Sequence, residues 1–327
     1  MKALENKILL GGLLIALALP FALPNQFFMH VMIMVFFYAI LSSSLNLTVG
    51  YVGELPLGHA AFLGIGAYTS AILSTQFQVP FWICLPLAGL LAALFGLAIG
   101  AITLRLEGHY FVLITLAFTE VMRLIVLNWV EVTRGPLGFS NIPVPSLAIG
   151  DAVYSINSKI AYYYLGLALL IVTLICVLRF ARSSYGSAAI AIRENRRLAK
   201  SVGINPFRYA LGTFVAGAFF AGLAGSFYAH YISFVGPEVF GFSFMVTMLM
   251  VVALGGKGTV LGPIFGAVVI GLALEYLRFV NEVRLSVFGL LLIVVVLFLP
   301  NGIAGLVFRR RIAKPAGAKP QAEAAGG

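Results

Sequence analysis

Long apolar stretches, separated by short polar segments, run through almost the whole chain. A helix needs about 20 apolar residues to cross a hydrocarbon core of ~30 Å. On that scale the sequence predicts ten membrane-spanning helices, at residues 8–24, 27–48, 58–76, 81–104, 109–128, 160–179, 209–234, 240–254, 259–278 and 285–307. The predicted fold class is therefore all-α, a polytopic integral membrane protein with about ten transmembrane helices.

One segment interrupts the apolar pattern. The stretch GYVGELPLGHA, residues 50–60, places glycines, a proline, a glutamate and a histidine between the second and third predicted spans. Glycine and proline disfavour a continuous helix, and non-helical backbone at membrane depth persists only where protein or a water-filled cavity satisfies it. The sequence thus predicts a broken or re-entrant element near residues 50–58, where Glu54 and His59 hydrogen-bond freed backbone groups or line a cavity. A cytoplasmic loop with a solvated Glu54 explains the spacing equally well.

Composition agrees with a membrane protein and excludes a water-soluble one. Of the 327 residues, 61% are hydrophobic and 10% are charged, and the mean hydropathy is +1.05. The net charge of +10 does not indicate nucleic acid, because 14 of the 21 Lys and Arg residues lie in residues 2–7, 179–208 and 309–319. Clusters of this kind are typical of cytoplasmic segments under the positive-inside rule.

The charge distribution also predicts a topology. Basic residues near both ends place both termini in the cytoplasm, which requires an even number of spans. Segment 180–208 is then cytoplasmic, and the loop 129–159 is external, with Glu131, Arg134, Asp151 and Lys159 balancing to zero charge. Turn-forming residues predict that this loop is irregular. Residues 1–308 form a single membrane domain, followed by a basic, disordered cytoplasmic tail at 309–327.

The cytoplasmic segment 180–208 has the pattern of one amphipathic helix. Ser187 is placed to cap its start, and Gly203 with Asn205-Pro206 to end it. The helical spacing predicts two faces, a basic one with Arg193, Arg196, Arg197 and Lys200, and an apolar one with Ala188, Ile192, Ala199 and Val202. Such a helix either lies on anionic lipid or docks a cytoplasmic partner.

Charged residues inside predicted spans are few and paired. Glu120 and Arg123 lie one turn apart in the fifth span, and Glu275 and Arg278 repeat this spacing in the ninth. Intramembrane charges are functional candidates by default, but each pair also neutralises itself, and this structural interpretation is favoured.

Sites for metals, disulfides and nucleotides have no support in the sequence. Cys84 and Cys176 lie in separate apolar runs, and the four histidines are scattered without metal-ligand spacing. The stretch LGGKGTVLGP, residues 254–263, lacks the first glycine and the Ser/Thr of a phosphate-binding loop. No catalytic residue, cofactor or metal is predicted.

Four longer stretches carry a family resemblance. GYVGELPLGHAAFLGIGAYTSAIL, GHYFVLITLAFTEVMRLIVLNWVEVTRGPLGFSNIP, SSYGSAAIAIRENRRLAKSVGINPFRYALGTFVAGAFFAGLAGSFYAHY and LGGKGTVLGPIFGA together resemble the LivM-type permease of branched-chain amino acid ABC importers. The resemblance runs in order from about residue 30 to residue 307. Glu54 and Pro56 stand where Gln and Ser are expected, and Thr119 where Gly is common.

The resemblance implies a half-pore in the cytoplasmic (inner) membrane of a bacterium or archaeon. The expected partners are a LivH-type permease subunit, two cytoplasmic ATPase subunits, and a periplasmic or extracellular amino-acid binding protein. A short helix, here Ala188 to Ile204, is expected in a groove of the ATPase. The implied ATPase-coupling residues are Ile192, Arg193, Glu194, Arg196, Arg197, Ala199 and Gly203. The pore-lining candidates are Glu54, Leu57, His59, Thr115, Glu120 and Arg123.

Two other classes of protein remain open at this stage. A stand-alone secondary amino-acid transporter would couple through an intramembrane carboxylate such as Glu120. A membrane enzyme would need converging acid, base or metal ligands, which the spacing does not provide. The sequence does not specify the solute, since selectivity in the resembling family resides largely in the binding protein.

Overall fold

The apolar stretches of the chain fold into helices. A computed structural model describes residues 2–22, 25–106, 108–149 and 152–276, together with Gly289, Gly302, Ile303 and Gly305. The α-helices of this part are α1 (Lys2–Ala22), α2 (Gln26–Asn46), α3 (His59–Gln76), α4 (Phe81–Thr103), α5 (His109–Asn128), α6 (Val130–Thr133), α7 (Lys159–Arg182), α8 (Ser184–Glu194), α9 (Arg196–Ser201), α10 (Pro206–Ile232), α11 (Phe242–Gly255) and α12 (Gly262–Tyr276).

Nine of the ten predicted spans coincide with these helices. Within the described residues, α4, α5, α7, α10 and the unit 26–52 are long and apolar enough to cross a membrane, and shorter apolar helices lie at Gly11–Phe21, Phe242–Gly255 and Gly262–Glu275. The all-α membrane class is therefore confirmed, while the count of ten stays a prediction. Arg278, the tail 309–327 and all of the tenth span at 285–307 except Gly289, Gly302, Ile303 and Gly305 lie outside the described residues.

The predicted break between the second and third spans is present. α2 continues into a π-helix at Leu47–Val52, which ends at Gly53 with a left-handed φ of 86°. The backbone then stays non-helical until α3 begins at His59. Glycine adopts positive φ at little cost, so Gly53 is the residue that ends the helix.

α10 lies at the centre of the bundle and packs along α3, α4 and α2. The α3–α10 contact is a contact between backbones. A Cβ atom on Gly225 would lie 2.2 Å from the Leu63 carbonyl oxygen, and one on Gly66 would lie 2.3 Å from the Gly222 carbonyl oxygen. Small residues permit such close approach of helices in a membrane, where packing is a main source of association energy.

The prediction that the loop 129–159 is irregular was wrong. The loop contains the strands β1 (Phe139–Ser140), β2 (Ser146–Ile149) and β3 (Ala152–Ser155), and a fourth strand, β4 (Phe234–Val235), lies after α10. β2 and β3 form an antiparallel hairpin, and β1 pairs with β4, which follows α10. Pairing satisfies backbone polar groups that turns alone would leave to water, and the partner of β1 is too distant along the chain for a local pattern to indicate it.

The cytoplasmic segment is also divided differently from the prediction. Ser183, rather than Ser187, caps α8, and Asn195 interrupts the predicted single helix with φ −158° and ψ 103°. The Asn195 side chain accepts a hydrogen bond from the Leu198 N–H at 3.0 Å, so it caps a new helix. The predicted continuous basic face is therefore wrong, because this break changes the direction of the residues that follow Arg193. The stop at Gly203 is confirmed by its φ of 88°.

Candidate functional site

The break and the cytoplasmic segment are joined by an ion pair. Arg196 Nη1 donates to Glu54 Oε1 at 2.8 Å, and the two side chains are only 28% and 18% exposed. Arg196 Nη2 also lies 3.4 Å from the Leu104 carbonyl oxygen at the end of α4. Glu54 is thus held against protein, rather than solvated in a loop.

Arg193 makes a second contact with the break. Its Nη1 donates to the carbonyl oxygen of Gly50 in the π-helix, and its Nη2 donates to Glu194 at 2.8 Å. A Cβ on Gly53 would lie 2.7 Å from Arg193 Cγ. The arginine side chain therefore lies directly against the residue that ends the π-helix.

The loop between α11 and α12 completes this arrangement. Asn46 Nδ2 donates to the Thr259 carbonyl oxygen at 2.9 Å, and Asn46 Oδ1 accepts from the Gly258 N–H at 2.9 Å. A Cβ on Gly50 would lie 2.4 Å from the Gly258 nitrogen. We use the term junction for the contacts among Asn46, the segment 50–54, Arg193, Arg196 and the loop 256–259. Sequence reasoning missed Asn46 and Gly258, since their contacts are long-range.

Buried polar groups lie next to the junction, where α2, α3 and α10 meet. The fully buried His59 has its Nε2 at 2.8 Å from Ser44 Oγ, which is a side-chain contact rather than a contact with freed backbone, the first of its two predicted roles. Thr48 Oγ1 and His59 Nδ1 have no hydrogen-bond partner among the described residues, and both side chains flank Gly217. Unpaired buried polar atoms are costly, so these two groups are polar positions that packing within the described residues leaves unsatisfied.

The other pore-lining candidates divide into two places. Thr115 is buried, and its backbone packs against Gly58, while the partly buried Leu57 precedes Gly58 in the break. Glu120 and Arg123 instead pair with each other on α5, at 2.6 Å and 2.9 Å, with side chains 54% and 33% exposed. The structure does not bring this pair to the junction.

The coupling candidates also separate by environment. Ile192 and Ala199 are buried against the protein, and Arg193 and Arg196 contact the break. The outward surface includes the remaining coupling candidates, Glu194, Arg197 and Gly203, together with Leu198, Lys200 and Val202. Sequence reasoning missed Leu198 and assigned Val202 to the same apolar face as the buried Ile192 and Ala199, although Leu198 and Val202 are 63% and 70% exposed. Asn195, as a potential cap, was the signal that the helix restarts.

The comparisons with known proteins agree on one family. The family model described as "Branched-chain amino acid transport system / permease component" matches residues 27–296. The high-affinity branched-chain amino acid transport system permease protein LivM of Salmonella typhimurium is 35% identical over 318 residues, covering 91% of this chain and 75% of the relative.

Other relatives carry related names. LivM of Escherichia coli strain K12 is 34% identical over 319 residues, again covering 91% of this chain and 75% of the relative. The permease protein LivH of the same organism is 27% identical over 287 residues, covering 82% and 91%. These relatives are transport permease proteins rather than enzymes. No solved structure matches the chain.

Proposed function

Because the chain belongs to the family of permease components of branched-chain amino acid transport systems, we propose that it forms half of the pore of an ATP-driven importer of these or related amino acids. LivH-type proteins are also relatives of this chain, at the lower identity of 27%. We assign the other half of the pore to a subunit of that type. Two cytoplasmic ATPase subunits and an external binding protein complete the proposed importer, which resides in the inner membrane.

The observation that carries the coupling part of this proposal is the junction. An ATPase that moves α8 and α9 would pull directly on the break, because Arg196 is tied to Glu54 and Arg193 to Gly50. The break has no regular helical hydrogen bonding between residues 53 and 58, so it deforms more easily than the helices on either side. The cytoplasmic segment is thus placed to convert movement outside the membrane into movement of the pathway.

The proposed ATPase contact is the outward surface of α9 and its end. Leu198 and Val202 are four residues apart, both exposed, with Arg197 and Lys200 beside them. Exposed apolar side chains surrounded by charges are typical of a protein interface. The inward contacts of Arg193 and Arg196 make these two arginines unsuitable as tests of docking.

Replacing Leu198 by Asp should weaken ATPase association at least about tenfold, because full burial of a leucine side chain contributes ~2 kcal/mol. Co-purification of the ATPase subunits from detergent-solubilised membranes measures the effect. Leu137→Asp is the matched control, since Leu137 is an exposed leucine in the loop 129–159. Equal co-purification of both variants and the unmodified protein would contradict the docking role.

We assign the LivH-type subunit to the exposed face of α5. Leu113, Val121 and Leu124 are exposed there, on both sides of the Glu120–Arg123 pair. An ion pair facing lipid is costly, so a protein partner or the water of a shared pore is the favoured neighbour. This position also makes Glu120 and Arg123 candidates to line the pore between the two permeases.

The proposed topology predicts opposite labelling of two exposed serines. In a variant in which Cys176 is replaced by Ser, a cysteine at Ser140 should react with an impermeant thiol reagent added to intact cells, whereas a cysteine at Ser201 should react only after permeabilisation. Both serines are exposed and the other cysteine, Cys84, is buried. A difference in labelling therefore shows on which side of the membrane each position lies. The opposite pattern would overturn the topology.

A further inference from the structure

A polar cavity lies at the end of α3 and α10 that is opposite to the junction. It has a volume of about 490 Å³ and is enclosed by the end of α3, the start of α4, the loop 134–146 and the end of α10. This volume falls within the range of about 300–1,000 Å³ that small-molecule sites occupy. In the proposed topology the cavity opens towards the outside, and it contains none of the coupling or pore-lining candidates.

The backbone around this cavity is strained. Among the described residues, those other than glycine with positive φ are Gln78 at 53°, Arg134 at 61°, Asn141 at 57° and Ser233 at 57°. The first three line the cavity, and the Ser233 carbonyl oxygen accepts from the Ile142 N–H at 3.4 Å beside it. Left-handed backbone at such residues costs of order 1–3 kcal/mol and clusters at binding sites.

The loop that forms the cavity is fixed in place by contacts with three separate elements. β1 pairs with β4 after α10, Trp82 Nε1 donates to the Ser146 carbonyl oxygen at 3.0 Å, and His230 Nδ1 donates to the Pro143 carbonyl oxygen at 2.7 Å. His230 Nε2 lies 2.9 Å from Ser70 Oγ, so both ring nitrogens are engaged. The cavity is therefore preformed, which reduces the entropy cost of binding.

The lining has three chemical parts. Arg134 is the cation of the cavity, its lining residues include no Asp or Glu, and within the described part of the chain its guanidinium forms no salt bridge. The Thr75 hydroxyl donates to the Ala71 carbonyl oxygen at 2.7 Å, and the Ser74 hydroxyl does so at 3.2 Å, which leaves the lone pairs of both oxygens to accept. Val79, Phe81 and Val144 provide an apolar wall.

We propose that this cavity binds a small aliphatic α-amino acid, with its carboxylate on Arg134, its ammonium on the Ser74 and Thr75 oxygens, and its side chain on the apolar wall. Arginine is well suited to a carboxylate, since its donors match the two oxygens. The inference rests on the proposed transport function and adds to it an external site at which the permease itself holds the solute before it enters the pore.

The test uses the assembled importer in lipid nanodiscs, without its binding protein and without ATP. Radiolabelled L-leucine is the probe, and L-leucinamide, which lacks the carboxylate, is the competitor. We expect leucine to bind and leucinamide to compete poorly. Arg134→Gln should weaken leucine binding roughly ten- to a hundredfold, the range for loss of a charge-assisted hydrogen bond. Lys159→Gln, which removes an exposed cation on the same loop, should leave binding unchanged.

A second variant distinguishes loss of the binding site from a folding defect. Val144→Trp fills the cavity without a change of charge, and it should reduce leucine binding while basal ATP hydrolysis stays normal. Equal competition by leucinamide, or unchanged leucine binding in both variants, would overturn the site. If the variants instead weaken only the attachment of the binding protein, the cavity is a docking surface and the proposal is also wrong.

ATP-dependent uptake in the same preparation separates this inference from the proposed function. If leucine is taken up but leucine binding does not depend on Arg134, the external site is wrong and the proposed importer function stands. Binding that depends on Arg134, in a preparation that shows no ATP-dependent uptake of any amino acid, would support the site and count against the importer.

Discussion

Replacing Gly225 by alanine should strongly destabilise the protein, although alanine favours a helix over glycine by ~1 kcal/mol. The added Cβ would lie 2.2 Å from the Leu63 carbonyl oxygen and 2.8 Å from the Ala67 nitrogen. Both are backbone atoms of α3, so neither can move aside by a change of rotamer, and α3 and α10 must separate. Overpacking typically costs 1–3 kcal/mol even where side chains can adjust, and we expect about 3 kcal/mol or more here.

Thermal unfolding of the detergent-solubilised protein measures this loss. A change of this size should lower the Tm by several degrees, since 1 kcal/mol corresponds to about 2–4 °C for a domain of 150–250 residues and to less for a longer chain. Gly12→Ala is the matched control, because a Cβ on Gly12 in α1 meets no atom within 4 Å. It should leave the Tm unchanged or slightly raised. A Tm for Gly225→Ala equal to that of the control would show that the two helices are not in backbone contact.

Features with a local cause could be predicted from the sequence. The positions of the helices follow from the length of the apolar runs, because a bilayer core of ~30 Å fixes the length of a span. The break follows from Gly50, Gly53, Pro56 and Gly58, whose effect on a helix does not depend on distant residues. The stop at Gly203 is equally local.

Features that depend on distant partners could not be predicted in this way. Glu54 and Arg196 are 142 residues apart, and Asn46 and Gly258 are 212 apart, so only the folded chain brings each pair together. The division between α8 and α9 was missed for another reason. Asn195 is compatible with a helix interior as well as with a cap, and the regular spacing of charges around it favoured a continuous helix.

The ion pair between Glu54 and Arg196 should be required for transport rather than for folding. Glu54→Leu removes the acceptor and leaves Arg196 without this partner, and Arg196→Leu does the reverse. Each variant should insert normally, since Glu54 lies in the break and Arg196 in α9, and neither belongs to a long apolar helix. Each should reduce ATP-dependent uptake at least about tenfold, because loss of a charge-assisted hydrogen bond worth ~1.5–3 kcal/mol releases α9 from the break.

The charge-swapped double variant Glu54→Arg with Arg196→Glu distinguishes this contact from independent effects. If the two residues act through each other, the swap should regain part of the uptake that either single reversal loses, and the double-mutant cycle should give a favourable coupling energy. ATP hydrolysis should continue in the single variants, since their defect is in passing movement from α9 to the break. Glu131→Gln, at an exposed position of α6 outside the junction and the pore-lining candidates, serves as a control for loss of a carboxylate.

Glu54→Gln separates the importer from a proton-coupled transporter. Glutamine keeps a side-chain oxygen that accepts a hydrogen bond from Arg196, so an importer driven by ATP should retain most of its uptake. A transporter that uses this carboxylate to carry protons would lose activity, because glutamine preserves the shape and abolishes the titration. Uptake into vesicles, with and without the ATPase subunits, measures both. Normal ATP-driven transport by Glu54→Leu would show that coupling does not need the contact between Glu54 and Arg196. The coupling role assigned to the junction would then rest on the contact between Arg193 and Gly50 alone.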